Sequence, residues 1–215
     1  MYKHSHYFAL LFIFVTVFLS GCATKPANEP SLVVLPQTAE QRKELLSNVK
    51  QWHLRGKIAF IEQIEGKKGK RESANISWKN DIYTQTQELN LTSYLGINVL
   101  HLSSKDDKHL IKVNGKEYRA NNLEQLIFSL TGLTLPTNAL NFWLKGLPYL
   151  PSDQITLSSE TQLPISLTSL FNGIPWQIDY KNYKVYNGLQ MATKFTIKKD
   201  GLLIKVAVKE WSLTN

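Results

Sequence analysis

Cysteine is almost missing from this 215-residue chain: Cys22 is the only one, so no disulfide can form within it. Histidine is sparse too. Beyond the first residues, His53, His101 and His109 stand at no metal-motif spacing from another His, a Cys or an acid, so no zinc site and no other metal is expected. G-x-S-x-G, the Walker loop and G-x-G-x-x-G are absent, which removes the commonest hydrolase and nucleotide-binding signatures. Ser47 to Lys50 ("SNVK") fits the short S-x-x-K pattern, but its companions S-D-N and K-T-G are lacking and four-residue matches recur by chance. Asp106-Asp107 reads as a solvated turn. The chain is therefore not expected to be an enzyme or to need a cofactor.

What is present begins with an address. Lys3 precedes the uncharged apolar run "YFALLFIFVTVFL" (Tyr7 to Leu19), shorter than the about 20 residues a spanning helix needs and followed by the small Ser20 and Gly21. This is the layout of a secretory signal peptide over residues 1–21. The lone cysteine follows at once. "LSGC" (Leu19 to Cys22) resembles the bacterial lipobox, which implies a diacylglycerol thioether on Cys22, cleavage before it and N-acylation of the new terminus; the alternative is a chance cysteine after an ordinary signal. Ala23 stands where inner-membrane lipoproteins tend to carry Asp. The resemblance thus implies the outer membrane, with the chain anchored in its periplasmic leaflet. Loss of residues 1–21 removes Lys3 and no acid, taking the formal charge from +8 to +7. Such a location offers no nucleic acid, so the lysines read as solvated faces or as a match for anionic headgroups or an acidic protein.

Residues 22–38 carry three prolines and little periodicity and read as a tether. Residues 39–215 are of ordinary size for one domain. Thr38 with Gln41 suggests a capping box opening a helix that carries Leu45, Val49 and Trp52. Strands are expected at Lys57–Ile64, Arg71–Trp78, Ile82–Thr92, Asn98–Ser103, and on both sides of Asn114-Gly115, a strong hairpin signal. Two short helices should follow, one capped by Asn122 and ended at Gly132, the other capped by Thr137 after Pro136. Strands then resume to the end, with Leu202, Ile204, Val206 and Val208 on one face of the last. These elements predict a mainly β fold with α (α+β): a strongly curved antiparallel sheet whose concave apolar face is covered by about three helices. Its concave face could be fully packed or could enclose a cavity, and the five tryptophans suit either. "TSYLGIN" (Thr92 to Asn98) stands out, because a hairpin tip is usually polar and this one carries Tyr94 and Leu95 beside Gly96.

Four segments together resemble the LolB family: "WHLRGKIAFI" from Trp52, "LNLTSYLGINVLHL" from Leu89, "LTGLTLPTNALNFWLKGLP" from Leu130 and "DGLLIKVAVKEW" from Asp200. Family members are outer-membrane lipoproteins that accept other lipoproteins from the soluble periplasmic carrier LolA and insert them into the outer membrane without ATP. The resemblance implies an incomplete barrel whose hydrophobic cavity holds client acyl chains, and as partners a LolA-like carrier, client lipoproteins and outer-membrane phospholipid, for a monomeric receptor. Combined with strand parity, it points to Ile58, Phe60, Ile76, Leu89, Leu91, Leu126, Leu135, Trp143 and Val206 in or near that cavity. It also places the family's membrane-insertion leucine at Leu95, with Tyr94 where a proline commonly precedes it, so a less rigid loop is expected, while Tyr suits a bilayer interface. A structural or adaptor lipoprotein binding an envelope-assembly partner is the competing expectation, and it requires a dry, packed core.

Overall fold

The computed structural model describes residues 38–66, 69–132 and 134–214; the expected signal peptide, Cys22 and the expected tether up to residue 37 lie outside the described residues. The chain opens with α1 (Ala39–Ser47), where Thr38 accepts from the Gln41 amide and Gln41 reaches back to the Thr38 amide, closing the expected capping box. The helix stops earlier than its spacing suggests. Trp52 belongs to the first strand, paired with Leu213 and Asn80, and Leu45 is exposed while Arg42 and Leu46 are buried. Two ladders of strand hydrogen bonds outweigh the local helical pattern from Val49 onward. Arg42 then fastens α1 down, its guanidinium donating to the Lys145 and Gln190 carbonyls at 3.0 and 3.2 Å.

Six strands follow as a meander: β1 (Gln51–Glu62), β2 (Arg71–Asp81), β3 (Thr86–Thr92), β4 (Asn98–Lys105), β5 (Lys108–Val113) and β6 (Lys116–Ala120). Then come α2 (Leu123–Thr131) and α3 (Thr137–Trp143), and a second meander of β7 (Gln154–Leu157), β8 (Pro164–Phe171), β9 (Ile174–Tyr186), β10 (Leu189–Lys199) and β11 (Leu202–Thr214). Asn122 caps α2 by accepting from the Gln125 amide, and Gly132 ends it with φ 70°. The expected cap of α3 is corrected: Pro136 occupies that position, and Thr137 is the first helical residue, fully buried, its hydroxyl bonding no helix amide.

The two meanders become one antiparallel sheet because β1 pairs with β11, giving the order β6-β5-β4-β3-β2-β1-β11-β10-β9-β8-β7. The free edges are β6 and β7, and the chain between them is the segment that forms α2 and α3. One bulge sets the geometry of the seam. Arg55 faces Glu210 but Gly56 faces Val208, so Lys209 is the extra residue and side-chain parity in β11 reverses there. Leu202, Ile204 and Val206 are buried before it, Trp211 and Leu213 after it, and Val208 packs on the core only in part. At that point the strands approach closely: a Cβ on Gly56 would stand 2.2 Å from the Ala207 carbonyl oxygen and 2.9 Å from the Val208 Cα. Beside the bulge, Trp52 packs between Trp78 and Trp211, with ring centroids 5.6 and 5.7 Å apart, and Trp211 donates its indole N–H to the Ala192 carbonyl. Gly56→Ala should therefore destabilise the domain by roughly 2–3 kcal/mol, because backbone rather than a flexible side chain must give way. Urea unfolding followed by tryptophan fluorescence measures this, with a lowered midpoint expected.

Candidate functional site

The strand hydrogen bonds put the ends of β1, β3, β5 and β10, and the starts of β2, β4, β6 and β11, at one end of the sheet. Turns at that end are tied together: the Gln63 amide donates to the Gly201 carbonyl, and the Asn75 side-chain amide to the Ser93 carbonyl. On the concave face behind these turns is a cavity of about 560 Å³, well inside the 300–1,000 Å³ range of ligand-holding cavities.

Its wall follows from strand parity. Even-numbered residues of β1 point inward, so Leu54, Ile58 and Phe60 line it, and Ile204 and Val206 of β11 continue the surface as the cross-strand partners of Phe60 and Ile58. Ile76 and Trp78 add the β2 layer, and Leu89 and Leu91 face Leu102 and Leu100 across the β3–β4 ladder. Ile127 and Leu130 of α2, Leu135, Leu140 of α3 and Leu144 just past its end cover it. At the mouth the wall turns polar on two sides, with the exposed Lys70–Glu72 ion pair (2.6 Å) on one and Asn114 on the other. Between them the lip formed by Leu91, Val99 and Leu100 stays apolar.

Seven of the nine residues expected at the cavity stand in this wall: Ile58, Phe60, Ile76, Leu89, Leu91, Leu135 and Val206. Leu126 and Trp143 do not. Leu126 is buried in the surrounding core, since Ile127, about 100° further round α2, is the residue turned to the cavity. Trp143 is held on the other side of α3, donating its indole N–H to Asp153 at 2.9 Å and packing on Trp176 and Phe171 at 6.0 and 6.1 Å. Burial opposes the charge on that Asp153, yet the hydrogen bonds it accepts from the Trp143 indole and the Leu150 and Tyr149 amides help hold its pKa below the usual carboxylate range. Leu100, Leu102 and Ile204 join the wall as the cross-strand partners of Leu91, Leu89 and Phe60, Ile197 as the partner of Ile204 in turn, and Leu54 by sharing the inward parity of Ile58.

The β3–β4 loop stands beyond the mouth. Tyr94 is 91% exposed and Leu95 81%, with Gly96 at φ 79° turning the chain behind them. In place of a stiffening proline, Ser93 closes the loop: its amide donates to the Ile97 carbonyl, its carbonyl accepts from the Gly96 amide and its hydroxyl from the Ile97 amide. Among the described residues no group of three or more His, Cys, Asp or Glu could hold a metal, and the described helices are too short or too polar to cross a membrane. The chemistry available here is the reversible burial of an apolar ligand.

Just past α3, on the side away from the cavity, Lys145 is buried with its ammonium 5.5 Å from the Phe142 ring centroid. Burial, and then the charge of Lys50, lower its pKa to about 8. A lysine depressed in the folded state binds fewer protons than its unfolded counterpart between pH 8 and the ordinary lysine value of 10.5, so stability should rise with pH across that interval, by on the order of 3 kcal/mol in all. Below pH 8 this contribution is absent because both states are charged. Chemical denaturation at pH 7.5, 8.5 and 9.5 should show the rise, and Lys145→Met should flatten it.

Comparison with known proteins places this geometry. A family model described as outer membrane lipoprotein LolB matches residues 50–211. The outer-membrane lipoprotein LolB of Aeromonas hydrophila is 31% identical over 197 residues, covering 91% of this chain and 92% of that protein. That of Pseudoalteromonas translucida is 30% identical, covering 95% of this chain and 93% of that protein. In fold, the chain is similar to a LolA superfamily protein from Nitrosomonas europaea, with a TM-score of 0.51 at 9% identity over 83% of this chain and 94% of that one. A DUF1329 family protein from Desulfovibrio piger is similarly related, with a TM-score of 0.52 at 7% identity over 81% of this chain and 90% of that one.

Proposed function

The chain belongs to the outer membrane lipoprotein LolB family, and on that premise we propose that it accepts lipoproteins from a LolA-like periplasmic carrier, shelters their acyl chains in the cavity and passes them to the outer membrane. The observation that supports this most directly is the apolar cavity opening at the end of the sheet from which Leu95 projects. Cys22 carries the diacylglycerol and N-acyl chains in this reading and holds the protein in the periplasmic leaflet, with residues 23–38 as the tether. Two lipid signals already suffice for stable anchoring, so three chains keep the receptor permanently on its target membrane.

Energy sets the design. Exposing about fifteen methylenes to water costs roughly 12 kcal/mol, so a chain must never be released freely between carrier, receptor and bilayer. No nucleotide is needed if each site in turn shelters the chains better than the last. The receptor must then hold its ligand loosely enough to let go, which suits a wall of aliphatic side chains with no fixed polar partner. Leu95 contributes only about 1.5–3 kcal/mol when buried in lipid, which makes it a device for local penetration rather than an anchor.

Transfer of a labelled lipoprotein from purified carrier to this protein, then to liposomes, tests the reading. The native protein should complete both steps. Leu95→Glu should still accept client but deliver it at least about tenfold more slowly, and delivery at the native rate would remove the loop from the mechanism. Cys22→Ala should leave a soluble form that accepts client yet deposits it without membrane preference, checked by separating labelled inner and outer membranes. A photo-crosslinker at Phe60 should label the acyl chain of bound client, whereas one at Tyr83, exposed at the opposite end of the sheet, should not.

A further inference from the structure

The polar and apolar parts of the mouth are unequal, and the inequality gives the ligand a direction. The β1–β2 side offers Lys70 and Glu72 and the β5–β6 side Asn114, while the β3–β4 lip between them offers only carbon. Val99 occupies an unusual position on that lip. Leu100 and Leu102 point inward as the partners of Leu91 and Leu89, so Val99 has the opposite parity; it nonetheless forms part of the cavity wall and is 44% exposed. Beyond it, Ile97 is 65% exposed and Leu95 81%. Exposed aliphatic side chains therefore begin at the cavity wall and end at the loop tip.

We propose that Val99, Ile97 and Leu95 form an apolar rail that binds the acyl chain outside the cavity and conducts it over the lip from the wall to the bilayer. This inference rests on the function proposed above and assigns a ligand-contacting role to Val99 and Ile97 as well as to the tip. The physical need is severe. An unprotected crossing through water would slow release by about nine orders of magnitude for one chain of about fifteen methylenes, so the crossing must be covered at every stage. A single inserted leucine covers only the far end of the path. The rail covers the remainder, and it explains why the aliphatic residues of the hairpin continue behind the tip, where a polar loop stem would serve solubility better. The Ser93 hydrogen bonds to Gly96 and Ile97 keep the stem closed and hold Ile97 behind the tip.

The test uses the full lipid-anchored chain, loaded from the carrier with a lipoprotein labelled on its acyl chains and then mixed with liposomes. Ile97→Asp should slow delivery about tenfold and Val99→Thr about threefold, with acceptance from the carrier at the native level and Tyr83→Asp, at the far end, delivering normally. A photo-crosslinker at Ile97 should label the acyl chain during delivery. Native delivery by both variants, or no acyl labelling from Ile97, overturns the rail while leaving the cavity and its function in place. If Val99→Thr also impairs acceptance, Ile97 labelling decides: its presence supports the rail and its absence overturns it. A native protein that takes no client from the carrier overturns the function itself, and the rail with it.

Discussion

Everything in this structure depends on the pairing of β1 with β11, which joins the beginning of the domain to its end. Each meander can build its own short-range ladders, but the cavity wall draws on both, with Ile58 and Phe60 from the first facing Val206 and Ile204 from the second. Their junction is made at Gly56, where the Ala207 carbonyl approaches too closely for any side chain. The bulge at Lys209 adds local twist, and a twisted, bent seam is what turns eleven strands into a trough. Such a seam has a kinetic side. It closes the longest loop in the domain, so it is expected to form late and slowly compared with the hairpins.

The same junction explains how the tryptophans divide their labour. Trp52, Trp78 and Trp211 gather at the seam, from three adjacent strands. Trp143 and Trp176 instead join Phe171 beneath α3 on the β8–β9 side. Rigid aromatic groups thus frame the cavity while most of its wall is Leu, Ile and Val. Of the five only Trp78 reaches that wall, which leaves the surface facing a ligand adaptable.

Strand identity and the apolar tip were legible in the sequence because they rest on local rules: alternation, Asn-Gly turns and the capping residues Thr38 and Asn122. The turns at Asn172-Gly173 and Asn187-Gly188 carry the same signal as Asn114-Gly115, with both residues of each at positive φ. What escaped was set by distant partners. Trp52 has helical spacing from Leu45 and Val49 and becomes strand only because Leu213 and Asn80 are waiting for it. Trp143 looks like a cavity residue by its helical face and is claimed by Asp153, ten positions on. Leu126 and Ile127 are adjacent in sequence, and only the way α2 lies on the sheet decides which meets the ligand. The parity reversal at Lys209 has no local mark at all; it exists because two strands must match.

The cover of the cavity lies at the sheet's discontinuity: the chain leaves one free edge at β6, forms α2 and α3, and re-enters at the other free edge at β7. A closed barrel could widen only by breaking ladder hydrogen bonds, each shared between neighbouring strands. Here no ladder joins β6 to β7, and α2 and α3 stand in the chain between them, so the perimeter can lengthen while every ladder stays intact. The protein is in this sense a split collar rather than a ring. In the function proposed above, a collar of this kind lets one sequence take acyl chains of different girth with nearly the same backbone.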